Sequence, residues 1–121
     1  MEKKSEIARR LHHSGCNCCQ SVLLAFAEEL PIDSDVAKNL AAPFGRGISG
    51  LREVCGCVSA MTMVAGLTGR AAEAKRWAEL FRTENGDINC ARLLQIGKKP
   101  CNDLVACAAE IIEKSIEHEK R

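Results

Sequence analysis

The chain has no tyrosine, one tryptophan and three phenylalanines, so aromatics make up only 3% of it. That excludes the stacking platforms on which single-stranded nucleic acid lies. Charge of one sign is missing as well: 17 Lys and Arg stand against 16 Asp and Glu, a net charge of +1. Nothing there draws the chain to nucleic acid or to an anionic membrane surface. Long apolar runs are absent too. The most apolar stretch, VSAMTMVAGL from Val58 to Leu67, is too short to span a bilayer. The opening MEKKSEIARRLHH is charged throughout and has no apolar core, so it is not a secretory leader. The expectation is a cytoplasmic protein with neither a nucleic-acid nor a membrane partner.

Period-two alternation, internal repeats and low-complexity tracts are also lacking, and helical periodicity fills the chain instead. Ile7, Ala8 and Leu11 open an amphipathic segment that ends at Gly15. Asn17 with Gln20 has the spacing of a capping box, and the helix behind it carries Val22, Leu23, Phe26 and Leu30 up to Pro31. Asp33 or Ser34 caps a short helix through Val36 and Leu40. FGRGISG follows, a loop whose Gly45, Gly47 and Gly50 permit positive φ. Val54 to Leu67 is apolar nearly all round and predicts a central buried helix, with Gly69 as its C-terminal cap. Ala71 to Thr83 places Trp77, Leu80 and Phe81 on one face. Asp87 or Asn89 caps a helix with Leu93, Leu94 and Ile96. A last helix, capped at Asn102 or Asp103, bears Leu104, Val105, Ala108, Ile111, Ile112 and Ile116. The fold class is all-α, a single domain over residues 1–121 forming one compact bundle of about five to six helices. At this length the core needs no staple, and the apolar surplus of the central helix permits a homodimer.

What the chain does have is eight cysteines. In a reducing compartment, clustered cysteines serve metal binding or redox chemistry more than structural disulfides. Cys18 follows the Asn17 cap, Cys55 opens the central helix, Cys90 sits in the first turn of its helix, and Cys101 just precedes the last helix. Four cysteines from four helices thus lie at helix N-termini, where unpaired N–H groups and the helix dipole favour negative charge. A thiolate is such a charge, and it is the form that attacks or ligates. If the four starts converge, they stabilise several thiolates or a thiolate-bound metal.

The other four cysteines have plainer expectations. Cys107, Cys57 and Cys19 share apolar faces and read as packed core, and Cys16 as an exposed loop thiol. Cys16 and Cys19 nonetheless form C-x-x-C, without the βαβ setting of a thioredoxin fold and with Gln20 where a c-type haem site needs His. His12 and His13 on a charged helix, and His118 in a charged tail, read as solvated and outside the site. FGRGISG lacks the Gly-Lys-Ser/Thr ending of a phosphate loop, so no nucleotide is expected. Its glycines shape the turn that presents Cys55, and an anion held there with the help of Arg46 is the alternative. ENGDIN lacks the spaced acids of a calcium loop.

Taken in order, GCNCCQSVLLAF, FGRGISGLREVCGCVSAMTMVAGL, NGDINCARLL and CNDLVACAA resemble the redox-active proteins named for the pattern C_GCAxxG_C_C, over about Gly15 to Ile112. The signature cysteines of that family fall on Cys18, Cys55, Cys90 and Cys101, the four already singled out by helix position. Its Gly-rich segment falls on Gly45 and Gly47. Two departures stand in CGCVSA, where Cys57 replaces Ala and Ala60 replaces Gly, and Cys19 stands at a usually small residue. A related domain in split-Soret cytochromes holds non-haem iron through cysteines. The resemblance therefore implies an iron–sulfur or di-iron centre ligated by Cys18, Cys55, Cys90 and Cys101 and used for electron transfer, with no haem and with a redox partner the sequence does not identify. A metal-free thiol–disulfide protein or sensor using the same four thiols is the alternative, supported by the Cys16/Cys19 pair. A non-catalytic helical interaction domain is the third. A structural zinc site is disfavoured because the ligands are scattered rather than paired in knuckles.

Overall fold

The computed structural model describes residues 2–120. Seven α-helices account for nearly all of the regular structure: α1 (Lys4–His13), α2 (Cys18–Ala25), α3 (Ser34–Ala41), α4 (Gly56–Leu67), α5 (Ala74–Asn85), α6 (Cys90–Ile96) and α7 (Cys101–Glu119). Three single 3-10 turns join them, at Ala27–Glu29, Ala42–Phe44 and Ala71–Glu73. No strand occurs among the described residues, only an isolated bridge between Val54 and Asn89. The all-α expectation holds, with seven helices rather than five to six. The surplus comes from short helices that keep their independence because each start is closed by a side chain. Asp33 accepts from the Asp35 N–H at 2.9 Å to begin α3, and Asn89 accepts from Arg92 N–H at 3.0 Å to begin α6.

The core is built around α4. Its Cys57, Val58, Ala60, Met61, Val64 and Ala65 are buried, and it packs against α2, α5 and α7, while α1 lies along α7 and α2. Trp77 and Phe81 of α5, Phe26 after α2, and Val105 and Ile112 of α7 are fully buried around it. Each such side chain contributes about 1.5–3 kcal/mol by leaving water. The apolar surplus of α4 is thus covered by the chain's own helices. Leu80 departs from its expected place beside Trp77 and Phe81: it is 43% exposed, because the buried stripe of α5 is only wide enough for positions four apart. No helix among the described residues is long and apolar enough to cross a membrane.

A candidate redox site at four helix starts

The Asn17 cap forms as its spacing predicts. Its side chain accepts from Gln20 N–H at 2.9 Å, while Gln20 accepts from Asn17 N–H at 3.0 Å. The first residue of α2 is then Cys18. Cys55 is the N-cap of α4, and Cys90 and Cys101 are the first residues of α6 and α7. The α7 start corrects one expectation, since neither Asn102 nor Asp103 caps it. Pro100 occupies the N-cap position, and the two polar side chains go to α1 instead. Asn102 meets His12 at 3.3 Å and His13 at 3.2 Å, and Asp103 pairs with Arg9 at 3.2 Å.

Three local contacts draw the starts together. Gly56 lets α4 touch α2, since a Cβ there would lie 2.9 Å from Cys19 N, 3.2 Å from Phe44 O and 3.3 Å from Cys18 Cβ. The Val54–Asn89 bridge ties the α4 and α6 starts, with Cys55 N–H donating to Ile88 O at 2.8 Å and Cys90 N–H to Glu53 O at 2.6 Å. The His12–Asn102 contact draws α7 to the end of α1, one tight turn before α2. As a result, Cys18, Cys55, Cys90 and Cys101 line one cavity of about 680 Å³.

The loop before Cys55 forms one wall. Between Gly45 and Glu53, four non-glycine residues take left-handed φ: Arg46 at 54°, Ile48 at 65°, Ser49 at 52° and Arg52 at 57°. Such conformations cost about 1–3 kcal/mol each and cluster at functional sites. Hydrogen bonds from Ser49 N–H to Pro43 O at 2.6 Å, Arg52 N–H to Arg46 O at 3.0 Å and Glu53 N–H to Gly47 O at 2.8 Å hold the loop in this form. Gly47 is obligatory here: at φ 74°, a Cβ would meet Glu53 N at 2.5 Å and Arg52 Cα at 2.6 Å.

The thiols titrate as a group. Cys18 is pulled down to about 3, first by the Cys101 and Cys57 thiols that lie against it as donors, with His12 adding its charge and a hydrogen bond. Cys101 and Cys57 are correspondingly pushed up, each holding its proton towards Cys18. Cys57 also donates to Cys55, whose pKa falls for that reason, helped by the backbone N–H groups of Cys57 and Val58 at the α4 start. Cys19 is pushed up to about 12 by burial and by the charges on Cys18 and Cys55. The expected helix-start effect therefore operates at Cys55, whereas at Cys18 the neighbouring thiols and His12 dominate.

Four residues take places that periodicity alone did not assign them. Cys57 is fully buried, as a core residue should be, yet its thiol bridges Cys18 and Cys55. His12 is not merely solvated, because it lines the cavity beside Cys18. Cys16 is half-buried and lines the cavity. Cys107 is half-buried rather than packed in the stripe, with Asn85 Nδ2 at 3.5 Å from its sulfur, and it lies away from the cavity. Cys19 is core as expected, against Met63 Sδ at 3.9 Å. His13 is exposed, as is His118. All eight cysteines are free thiols.

Among the described residues, no three His, Cys, Asp or Glu side chains are grouped so as to hold a metal ion. A zinc or lone iron ion would need several sulfurs about 2.3 Å from one point. Four thiols spread around one cavity do match the donor chemistry of an iron–sulfur cluster, which spreads its ligands over several iron atoms.

Comparison with known proteins adds one match. Residues 16–115 fit the family model described as "Putative redox-active protein (C_GCAxxG_C_C)". No curated protein and no solved structure matches.

Proposed function

The chain belongs to the C_GCAxxG_C_C family of redox-active proteins, and we propose that its cysteine-based redox chemistry is thiol–disulfide exchange, with Cys18 as the attacking thiolate. The observation that carries this is that Cys18 and Cys101, the first residues of two helices, line one cavity, and the Cys101 and Cys57 thiols lower the pKa of Cys18. Exchange needs a thiolate, which Cys18 supplies, and a second thiol near enough to resolve the mixed disulfide. Cys101 is the better resolving thiol because it is half-buried at the cavity, whereas Cys57 is sealed in the core. Cys55 and Cys90 complete the wall.

A second reading keeps the same residues. Cys18, Cys55, Cys90 and Cys101 would hold an iron–sulfur or related centre, which supplies one-electron transfer when bound. Four helix starts facing one cavity support it, since their N–H groups and dipoles offset the charge of a thiolate-ligated cluster.

One experiment separates the two. Protein purified without oxygen is assayed for iron and acid-labile sulfide per chain, then oxidised mildly and mapped for disulfides by mass spectrometry. Metal-free protein that forms a Cys18–Cys101 disulfide is the expected result. Stoichiometric iron and sulfide, lost in Cys55→Ser or Cys90→Ser, would overturn it in favour of the cluster.

A further inference from the structure

The cysteine cavity is one-sided in charge although the chain is not. Arg46, Arg52, Lys99 and His12 line it, with no Asp or Glu among the lining residues. Elsewhere Arg9, Arg10, Arg70, Arg76 and Arg92 each pair with a carboxylate, and of the described arginines outside the cavity Arg82 alone does not. Lys99 reaches Glu84 at 3.6 Å. Arg52 leans on a sulfur, with Nη1 at 3.6 Å from Cys90 Sγ. Arg46 has no carboxylate partner among the described residues, yet it is held at the neck of the strained loop by the hydrogen bond from Arg52 N–H to its carbonyl. A cavity of about 680 Å³ is of the size that takes a small molecule, and guanidinium forks match the geometry of carboxylates.

We propose that this cavity binds a small disulfide bearing carboxylate groups, with Arg46 and Arg52 on a carboxylate and the disulfide sulfur against Cys18. This substrate class rests on the exchange reading above. Cys18 thiolate attacks one substrate sulfur, forming a mixed disulfide and releasing the other half as a thiolate. Cys101 then gives its proton to that departing thiolate and attacks Cys18 Sγ. The Cys18–Cys101 disulfide forms and the second substrate half leaves as a thiolate. The substrate gains two electrons and the protein loses two.

The test uses the reduced, metal-free full chain and two disulfide probes of similar size: 2,2′-dithiodiacetate, which carries two carboxylates, and neutral 2-hydroxyethyl disulfide. Rates of protein oxidation are divided by the rate of each probe with free cysteine. The carboxylate probe should be favoured about tenfold at low salt, as for electrostatically guided association. The preference should shrink in 0.5 M salt, collapse towards parity in Arg46→Gln/Arg52→Gln, and persist in Arg46→Lys, with circular dichroism unchanged. Equal corrected rates in the native protein, or a preference untouched in the double variant, would overturn the carboxylate site while leaving exchange standing. Failure of both probes to oxidise Cys18 would remove the exchange reading and this inference together.

Discussion

Two recesses of nearly equal size lie on this molecule. The cysteine cavity, about 680 Å³, is walled by helix starts and a left-handed loop. The other recess, about 650 Å³, runs between α1, α5 and α7 and contains Cys107. Its charges are mixed and mutually satisfied: Arg9 pairs with Asp103, Lys114 with Glu110 at 2.7 Å, and Lys99 with Glu84. Helix flanks line it, so its backbone polar groups are already used within the helices. The contrast teaches that volume plus a cysteine is not a redox site. What differs is that four helix starts, each bringing a cysteine, line the first cavity, whereas the second holds Cys107 alone.

The sharpest way to break the comparison is a thiol profile against pH. Because the pKa of Cys18 is lowered to about 3, it stays deprotonated throughout, and its reaction with a neutral disulfide should be nearly flat from pH 5 to 9. Ordinary thiols should speed up about tenfold per unit below their pKa. A low-pKa thiolate is the weaker nucleophile, yet at pH 5 its full ionisation should still leave Cys18 about tenfold faster than a thiol of ordinary pKa. Cys18→Ser should erase that reactivity, and Cys107→Ser should leave it unchanged. A Cys18 rate that climbs steeply with pH would show that the neighbouring thiols do not hold the charge.

Two glycines of α4 sharpen the comparison next. Gly56→Ala forces a Cβ against Cys19 N and Cys18 Cβ, and overpacking of this kind should cost about 1–3 kcal/mol in denaturant unfolding while moving Cys55 away from the cluster. Gly66→Ala, on the exposed face of the same helix with nothing within 4 Å, should stabilise by about 0.5–1 kcal/mol. The same sign for both would mean the α2–α4 approach is looser than the structure shows.

Smaller again is the comparison of caps. Asn17→Ala and Asp33→Ala each remove a side-chain cap and should each cost about 1 kcal/mol. Only Asn17→Ala should also alter the pH profile of Cys18, because Asn17 sets the first turn from which Cys18 projects. An unchanged profile would place the control of Cys18 in its thiol neighbours alone.

Much of this arrangement was legible in the sequence. The Asn17–Gln20 spacing marks the α2 start, and the all-round apolar run from Val58 marks the buried centre. Glycine and proline breaks supply the rest of the helical order, and the helix-start positions select Cys18, Cys55, Cys90 and Cys101 before any resemblance is invoked. Less legible were the residues whose roles depend on a partner. Cys57 satisfies the periodicity of a core residue while its sulfur serves two site thiols, and no helical pattern distinguishes those roles. His12 sits on a charged face in sequence, and only the α1–α7 contact through Asn102 turns it towards Cys18. The signal for it was proximity in the chain, four residues before Cys16, across a Ser14–Gly15 turn too tight to carry it away.

By itself the sequence determined the helical class, the helix starts and which cysteines occupy them, because caps and hydrophobic periodicity act over a few neighbouring residues. Only the tertiary structure decided that the four starts line one cavity, that Cys57 and His12 lie beside them, and that Cys18 and Cys55 are the thiols whose pKa falls. Those outcomes depend on Gly56 letting α4 touch α2 and on the Val54–Asn89 bridge. Thiols separated by tens of residues then share protons at a contact that no local pattern encodes.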